Sequence, residues 1–209
     1  MKIKEIVSSL ICSSTGFFKD NKLRPLRGVL IFILLTLLIH FGFRYWVTLD
    51  YFPIGALIHQ AYSVMIELVL SHSLWFIRNV LHYHPTLIEH TMYFDSAGYI
   101  AINEGCAGLK QFLQVSLLFL IYPGPWKHKL WYIPLGILLM HVTNLFRIVG
   151  LAEVLHQWPD YWKFSHDNIF RPLFYVVIFS MWVVWEEKFA RQGISVDTSS
   201  PGKAAEVKN

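Results

Sequence analysis

Three side chains able to perform acyl-transfer chemistry lie far apart in this chain. They are Cys106 in Asn103-Glu104-Gly105-Cys106-Ala107-Gly108, Arg147 in Asn144-Leu145-Phe146-Arg147-Ile148, and His166 in Phe164-Ser165-His166-Asp167-Asn168. A thiolate attacks a carbonyl, a guanidinium holds the resulting oxyanion or a substrate carboxylate, and an imidazole moves the protons. The only other cysteine is Cys12, so a disulfide framework is not expected. Cys106 is then either an inert buried thiol or a nucleophile.

Its company favours the second. Gly105 and Gly108 allow a tight turn and close backbone approach. A helix beginning at Cys106 would stabilise a thiolate and offer free N–H groups to an oxyanion. Counted along that helix, Lys110 and Gln114 fall below Cys106 on one face, and polar groups at membrane depth face a protein interior or a wet cavity. Arg147 shares its face with His141 and Asn144; its bland alternative is snorkelling to the headgroups. For His166, Asn144 or Glu104 could orient the ring, while the adjacent Asp167 need not face it.

The elements that must carry these residues are membrane helices. Of 209 residues, 55% are hydrophobic and 15% charged, against about 25% charged in a soluble domain. Sixteen Phe, ten Tyr and eight Trp supply aromatic belts. Four segments approach the length of about 20 apolar residues that a span needs: Gly28–Val47, Ala107–Tyr122 (slightly short), Leu130–Leu155 and Ile169–Trp185. Basic residues cluster before the first, between the second and third, and after the fourth, which places these regions in the cytoplasm. Of the 18 Lys and Arg residues, Arg44, Arg78, Lys110, Arg147, Lys163 and Arg171 fall elsewhere and need separate explanations. Cys106, Arg147 and His166 then converge on the outer side, and the net charge of +4 follows topology and implies no nucleic acid partner. Residues 1–26 read as a basic cytoplasmic segment, in part an in-plane helix, with no cleavable signal. Residues 27–190 read as the membrane domain and 191–209 as a disordered cytoplasmic tail.

The stretch Phe52 to Gly105 has both ends outside on this reading. From Ile54 to His82 the polar residues Gln60, Ser63, Glu67, Ser71, Arg78 and His82 form one stripe on an apolar helix. An amphipathic helix along the outer interface or packed beside the site is expected. A re-entrant hairpin broken near Ser71-His72-Ser73 is the rival. Glu89–Phe94 and Tyr99–Ile102 flank Asp95-Ser96-Ala97-Gly98 and predict an external β-hairpin. The fold class is therefore an all-α integral membrane protein, a bundle of about four to six membrane helices with a long amphipathic outer helix and a small β-hairpin. His82, His84 and His90 lack metal-site spacing, and no cofactor is expected.

The three motifs, in this order and at the outer ends of successive helices, resemble the exosortase/archaeosortase family over about Tyr93 to Lys188. The resemblance implies a compact, exosortase-like membrane cysteine protease or transpeptidase. Its substrates would be exported proteins with a C-terminal tail made of a short motif, a transmembrane helix and a basic cluster. Cys106 would be the nucleophile, forming a thioester, with His166 as the proton-transfer partner and Arg147 as the oxyanion or substrate-orienting residue. Glu104, Lys110, Gln114 and Asn144 would support substrate binding. The chain would sit in the inner membrane, in contact with the lipid bilayer, its site facing the extracytoplasmic side. Alanine follows Cys106, where other small residues are familiar. Two rival classes carry their own signatures. A thiol redox protein predicts a second outer cysteine. A non-catalytic subunit or transporter for surface polymer export predicts Arg147 and Lys110 along a path.

Overall fold

The structure is a computed structural model and describes residues 24–94 and 98–190. The expectations for the first 23 residues, for the turn at 95–97 and for the tail after 190 lie outside the described residues. Helix α1 (Arg24–Thr48) is long enough, at about 1.5 Å per residue, to cross a hydrocarbon layer of about 30 Å. Only 11% of its apolar window is buried, so most of its Leu and Ile side chains face outward, as lipid contact requires. A corner at Asp50 and Tyr51, both with positive φ, turns the chain. The corner is fixed by the buried Tyr51, whose hydroxyl meets that of Tyr62 at 3.2 Å.

Helix α2 (Gly55–Asn79) is continuous, which removes the re-entrant rival. No Gly or Pro interrupts Ser71-His72-Ser73; Ser71 Oγ donates back to the carbonyl of Leu68, and Ser73 is buried. Near its start His59 reaches Glu104, and just past its end Tyr83 donates to Glu153. Between these contacts His72 meets His141 at 3.0 Å, so α2 packs along the long helix that carries His141 and Glu153.

Three antiparallel strands follow: β1 (Thr86–Ile88), β2 (Thr91–Phe94) and β3 (Gly98–Ala101). The expected hairpin is the β2–β3 pair, with Met92 opposite Ile100 and Phe94 opposite Gly98. Strand β1 was not expected, because Thr86-Leu87-Ile88 is too short to show alternation. The alternation of β2 and β3 buries Met92, Phe94 and Ile100 against Val69, Leu70 and Ile77 of α2 and against the next long helix. The sheet therefore delivers the chain to Cys106 from a fixed direction.

The short helix α3 (Glu104–Ala107) carries Cys106, and α4 (Leu109–Ile121), α5 (Trp126–Gln157) and α6 (Arg171–Trp185) complete the bundle. Helix α6 is the body of an unbroken helical stretch, Pro159–Ala190. Among the described residues three helical stretches are long and apolar enough to cross a membrane: Leu26–Thr48, Trp126–Gln157 and Pro159–Ala190. The second expected span is shorter, because Gly108 cuts it: the 13 residues of α4 extend only about 20 Å. Away from the sheet, Phe119, Tyr132, Met181, Trp182 and Trp185 form an aromatic core joining α4, α5 and α6.

Candidate active site

Cys106 does not open a long helix, contrary to the sequence reading. It lies in a four-residue turn, and the N–H groups of Cys106 and Ala107 both donate to the Asn103 carbonyl, at 2.8 and 3.0 Å. Gly108 then takes φ +87°, a left-handed conformation natural to glycine, and α4 starts afresh at Leu109. Those two backbone donors are therefore occupied, and a turn this short carries little macrodipole. The break also leaves the Cys106 carbonyl without a helical partner. Asn144 of α5 supplies one, its Nδ2 donating at 2.6 Å.

A guanidinium stands at the sulfur instead. Arg147 lies one turn along α5 from Asn144 and donates from Nη2 to Cys106 Sγ at 2.9 Å. Arg147 is only 5% exposed, and its remaining faces meet little water. One side of the guanidinium stacks over the Phe174 ring at 5.9 Å, and its Nε has no hydrogen-bond partner among the described residues. A buried guanidinium without a carboxylate is costly to leave unbalanced, so an incoming anionic oxygen is its natural complement.

His166 stands across the same cavity. It was expected in a loop, and it lies instead in a π-helical turn, Ser165–Phe170, within the last helical stretch. Such turns interrupt α-helical phase and recur at functional sites. The ring of His166 stacks on Trp162 at 5.1 Å with the planes 6° apart. Its Nδ1 meets Asp167 Oδ1 at 2.9 Å, which leaves Nε2 for the cavity. Asp167 is itself held by Lys163 at 3.3 Å and Arg171 at 3.1 Å. The residue that orients the imidazole is thus Asp167, the neighbour that sequence reasoning had set aside, and neither Asn144 nor Glu104. Its signal was present: Lys163, Asp167 and Arg171 recur every four residues, the spacing of ion pairs on a helix.

Cys106, Arg147 and His166 line one open cavity of about 630 Å³. The sheet edge, Gly98 to Ala101, forms one wall, and α5 with Ile148, Leu151 and Leu155 forms the floor. Trp162 and Arg171 stand at the side of His166. Cys106 Sγ has a second contact, the Ala101 carbonyl at 3.9 Å. The remaining sequence candidates do not line this cavity. Asn144 acts from behind on the Cys106 carbonyl. Glu104 is exposed and faces His59 at 3.6 Å. Lys110 and Gln114 line a different groove, between α1 and α4. Counting four and eight residues from Cys106 assumed an unbroken helix, and the Gly108 break shifts the phase.

Long apolar helices, a sheet capping one end and a thiol bound by a buried arginine define a helical membrane protein with a cleft at the end of its bundle. The family model for transmembrane exosortases matches residues 25–185. The chain belongs to that family, a family of membrane-embedded, sorting-related proteins. No curated protein and no solved structure matches it.

Proposed function

We propose that this protein is a cysteine protease or transpeptidase of the inner membrane that cleaves C-terminal sorting tails of exported proteins. The observation that supports this reading best is the 2.9 Å contact from Arg147 to Cys106 Sγ inside a cavity that His166 also lines. In the proposed reaction His166 accepts the thiol proton, and the Cys106 sulfur attacks a backbone carbonyl carbon of the substrate. The new C–S bond forces the carbonyl electrons onto oxygen. Arg147, already beside the sulfur, follows the charge to that oxygen.

The intermediate collapses when its C–N bond breaks. The nitrogen of the departing segment takes the proton from His166, and a thioester remains on Cys106. Water or an amine then attacks the thioester carbonyl, losing its proton to His166, and the C–S bond breaks as the departing sulfur takes that proton back from His166 to regenerate the thiol. Asp167 holds Nδ1 throughout, so that Nε2 handles the protons, and Trp162 limits rotation of the ring. The departing segment would carry the substrate's transmembrane helix and basic cluster, with the site on the extracytoplasmic side.

The test is a tagged candidate substrate co-expressed with the wild-type chain, Cys106→Ala or Cys106→Ser. Wild type yields a cleaved product and a mass adduct on Cys106; both variants leave the substrate at full length. Cleavage that persists in Cys106→Ala overturns the proposal. An impermeant thiol reagent applied from outside the cell tests the orientation: labelling of Cys106 is expected, and a cysteine reached only from the cytoplasm would reverse the topology.

A further inference from the structure

Strand β3 is an outer strand of its sheet, in the order β1-β2-β3, so one of its edges has no strand beside it among the described residues. In an antiparallel ladder alternate residues turn both backbone groups to the partner strand, and the residues between turn both away. The N–H of Ile102 donates to the His90 carbonyl at 2.9 Å, and Ile100 stands opposite Met92 in the same phase. Tyr99 and Ala101 therefore point their N–H and C=O groups away from β2. The Ala101 carbonyl agrees with this phase, because it lies 3.9 Å from Cys106 Sγ. Both residues line the thiol cavity, and among the described residues no other backbone group bonds to this edge. Open backbone groups on a sheet edge are a template for an extended chain, and here they stand beside a thiol.

We propose that the protein substrate binds by adding an extended segment to the free edge of β3, main chain to main chain, with the bond to be cleaved at the Cys106 end. The inference rests on the reading of Cys106 as a nucleophile and deepens it. The segment lies about 4.8 Å from β3, the spacing of paired strands. Its backbone exchanges hydrogen bonds with Tyr99 and Ala101, which holds it beside the sulfur without reading its side chains. Alternate side chains of the segment drop onto the apolar floor at Leu151 and Leu155. One cavity joins the edge to the sulfur, so an occupant of the edge has its backbone at the thiol. A substrate requires that placement, and a purely structural partner does not.

The experiment uses the full chain, the tagged candidate substrate with its C-terminal tail, and matched proline variants at the two edges of the sheet. On β2, Thr91 and Tyr93 turn toward β1 and face Ile88 and Thr86, so Leu87 points outward at the far edge. Ala101→Pro and Leu87→Pro each remove one outward N–H and spare the ladder with β2. Ala101→Pro lowers kcat/KM about tenfold or more, chiefly by raising KM, as the loss of strand hydrogen bonds to a bound segment requires. Leu87→Pro, and Ala101→Ser, which keeps the N–H, stay near wild type. A photo-crosslinking side chain replacing Tyr99 in the Cys106→Ala chain captures the substrate tail, and one replacing Leu87 does not. An Ala101→Pro chain as active as wild type overturns the proposal. So does an equal loss in Leu87→Pro or Ala101→Ser, or capture at Tyr99 of a second copy of this chain and no substrate. If Ala101→Pro fails to fold, the crosslinker decides alone. Cleavage that persists in Cys106→Ala overturns the nucleophile, a separate failure, and capture at Tyr99 still decides the docking edge.

Discussion

The two ends of the bundle use the same helices and treat polar groups in opposite ways. At the aromatic end the polar atoms find protein partners. Tyr122 donates to Glu186 at 2.8 Å, Tyr132 to the Met181 carbonyl at 2.7 Å, Trp185 to the Pro123 carbonyl at 2.9 Å and Lys129 to the Leu120 carbonyl at 2.8 Å. Among the described residues there, the Trp182 indole and the Thr36 hydroxyl lack a hydrogen-bond partner. At the other end Arg147 Nε, Asn144 Oδ1 and Trp162 Nε1 are buried without partners, beside an open cavity. Buried polar atoms left unsatisfied cost stability, and a protein that keeps several of them together trades stability for a site that a ligand completes. One end holds the helices, and the other holds the proposed site.

The comparison breaks first at Cys106. Cys106→Ala removes the proposed nucleophile, and cleavage falls to background; the thermal midpoint falls as well, because the buried Arg147 loses its acceptor, so Cys106→Ser, which keeps an acceptor, separates the two effects. Arg147→Met comes next. It removes a buried charge and replaces it with an apolar side chain of similar length. kcat/KM is expected to fall about 10²–10³-fold, the loss typical of an oxyanion donor. Stability holds or rises, because a hydrophobic replacement of a buried ion is often neutral or stabilising. A variant that loses stability and activity together would show Arg147 to be structural. Trp185→Ala is the mirror experiment at the aromatic end. It costs about 3–5 kcal/mol in unfolding free energy through the cavity it leaves. The fraction that stays folded retains its kcat.

Asp167→Asn is smaller. It keeps the shape at Nδ1 of His166 and removes the charge that balances an imidazolium. A fall in kcat of about tenfold or more, below the 10²–10⁴-fold of a lost general base, is expected with KM little changed. A wild-type kcat would show that Asp167 serves only the ladder with Lys163 and Arg171.

Much of this was legible in the sequence because short connections force neighbours. Tyr122 and Trp126 lie so close in sequence that α4 and α5 must pack side by side, which brings Cys106 within reach of Arg147. The chain order of Cys106, Arg147 and His166 then closes the cavity. What sequence spacing misread was helical phase. Gly108 was read as a permissive residue near a helix start, whereas it ends one helix and starts another, and the Lys110 and Gln114 face rotates with it. The polar run Ser165-His166-Asp167-Asn168 reads as a loop by composition. It is helical because Lys163, Asp167 and Arg171 satisfy one another along a face and Trp162 stacks on His166 one turn away. Composition reports solvent; it does not report a π-turn.

The smallest effect belongs to Glu104, a candidate that the structure moves out of the cavity. Its side chain is about half exposed and faces His59 at 3.6 Å, and His59 in turn contacts Asp50 at 3.1 Å. An exposed pair of this kind contributes about 0–1 kcal/mol. Glu104→Gln is therefore expected to leave kcat/KM near wild type and to shift stability by less than about 0.5 kcal/mol, the usual range for a surface change. Parallel cleavage assays and thermal scans measure both quantities. A kinetic loss as large as that of Asp167→Asn, at unchanged stability, would mean that the turn carrying Cys106 swings Glu104 inward when substrate enters. The unsatisfied end of the bundle would then be completed by its own chain as well as by the ligand.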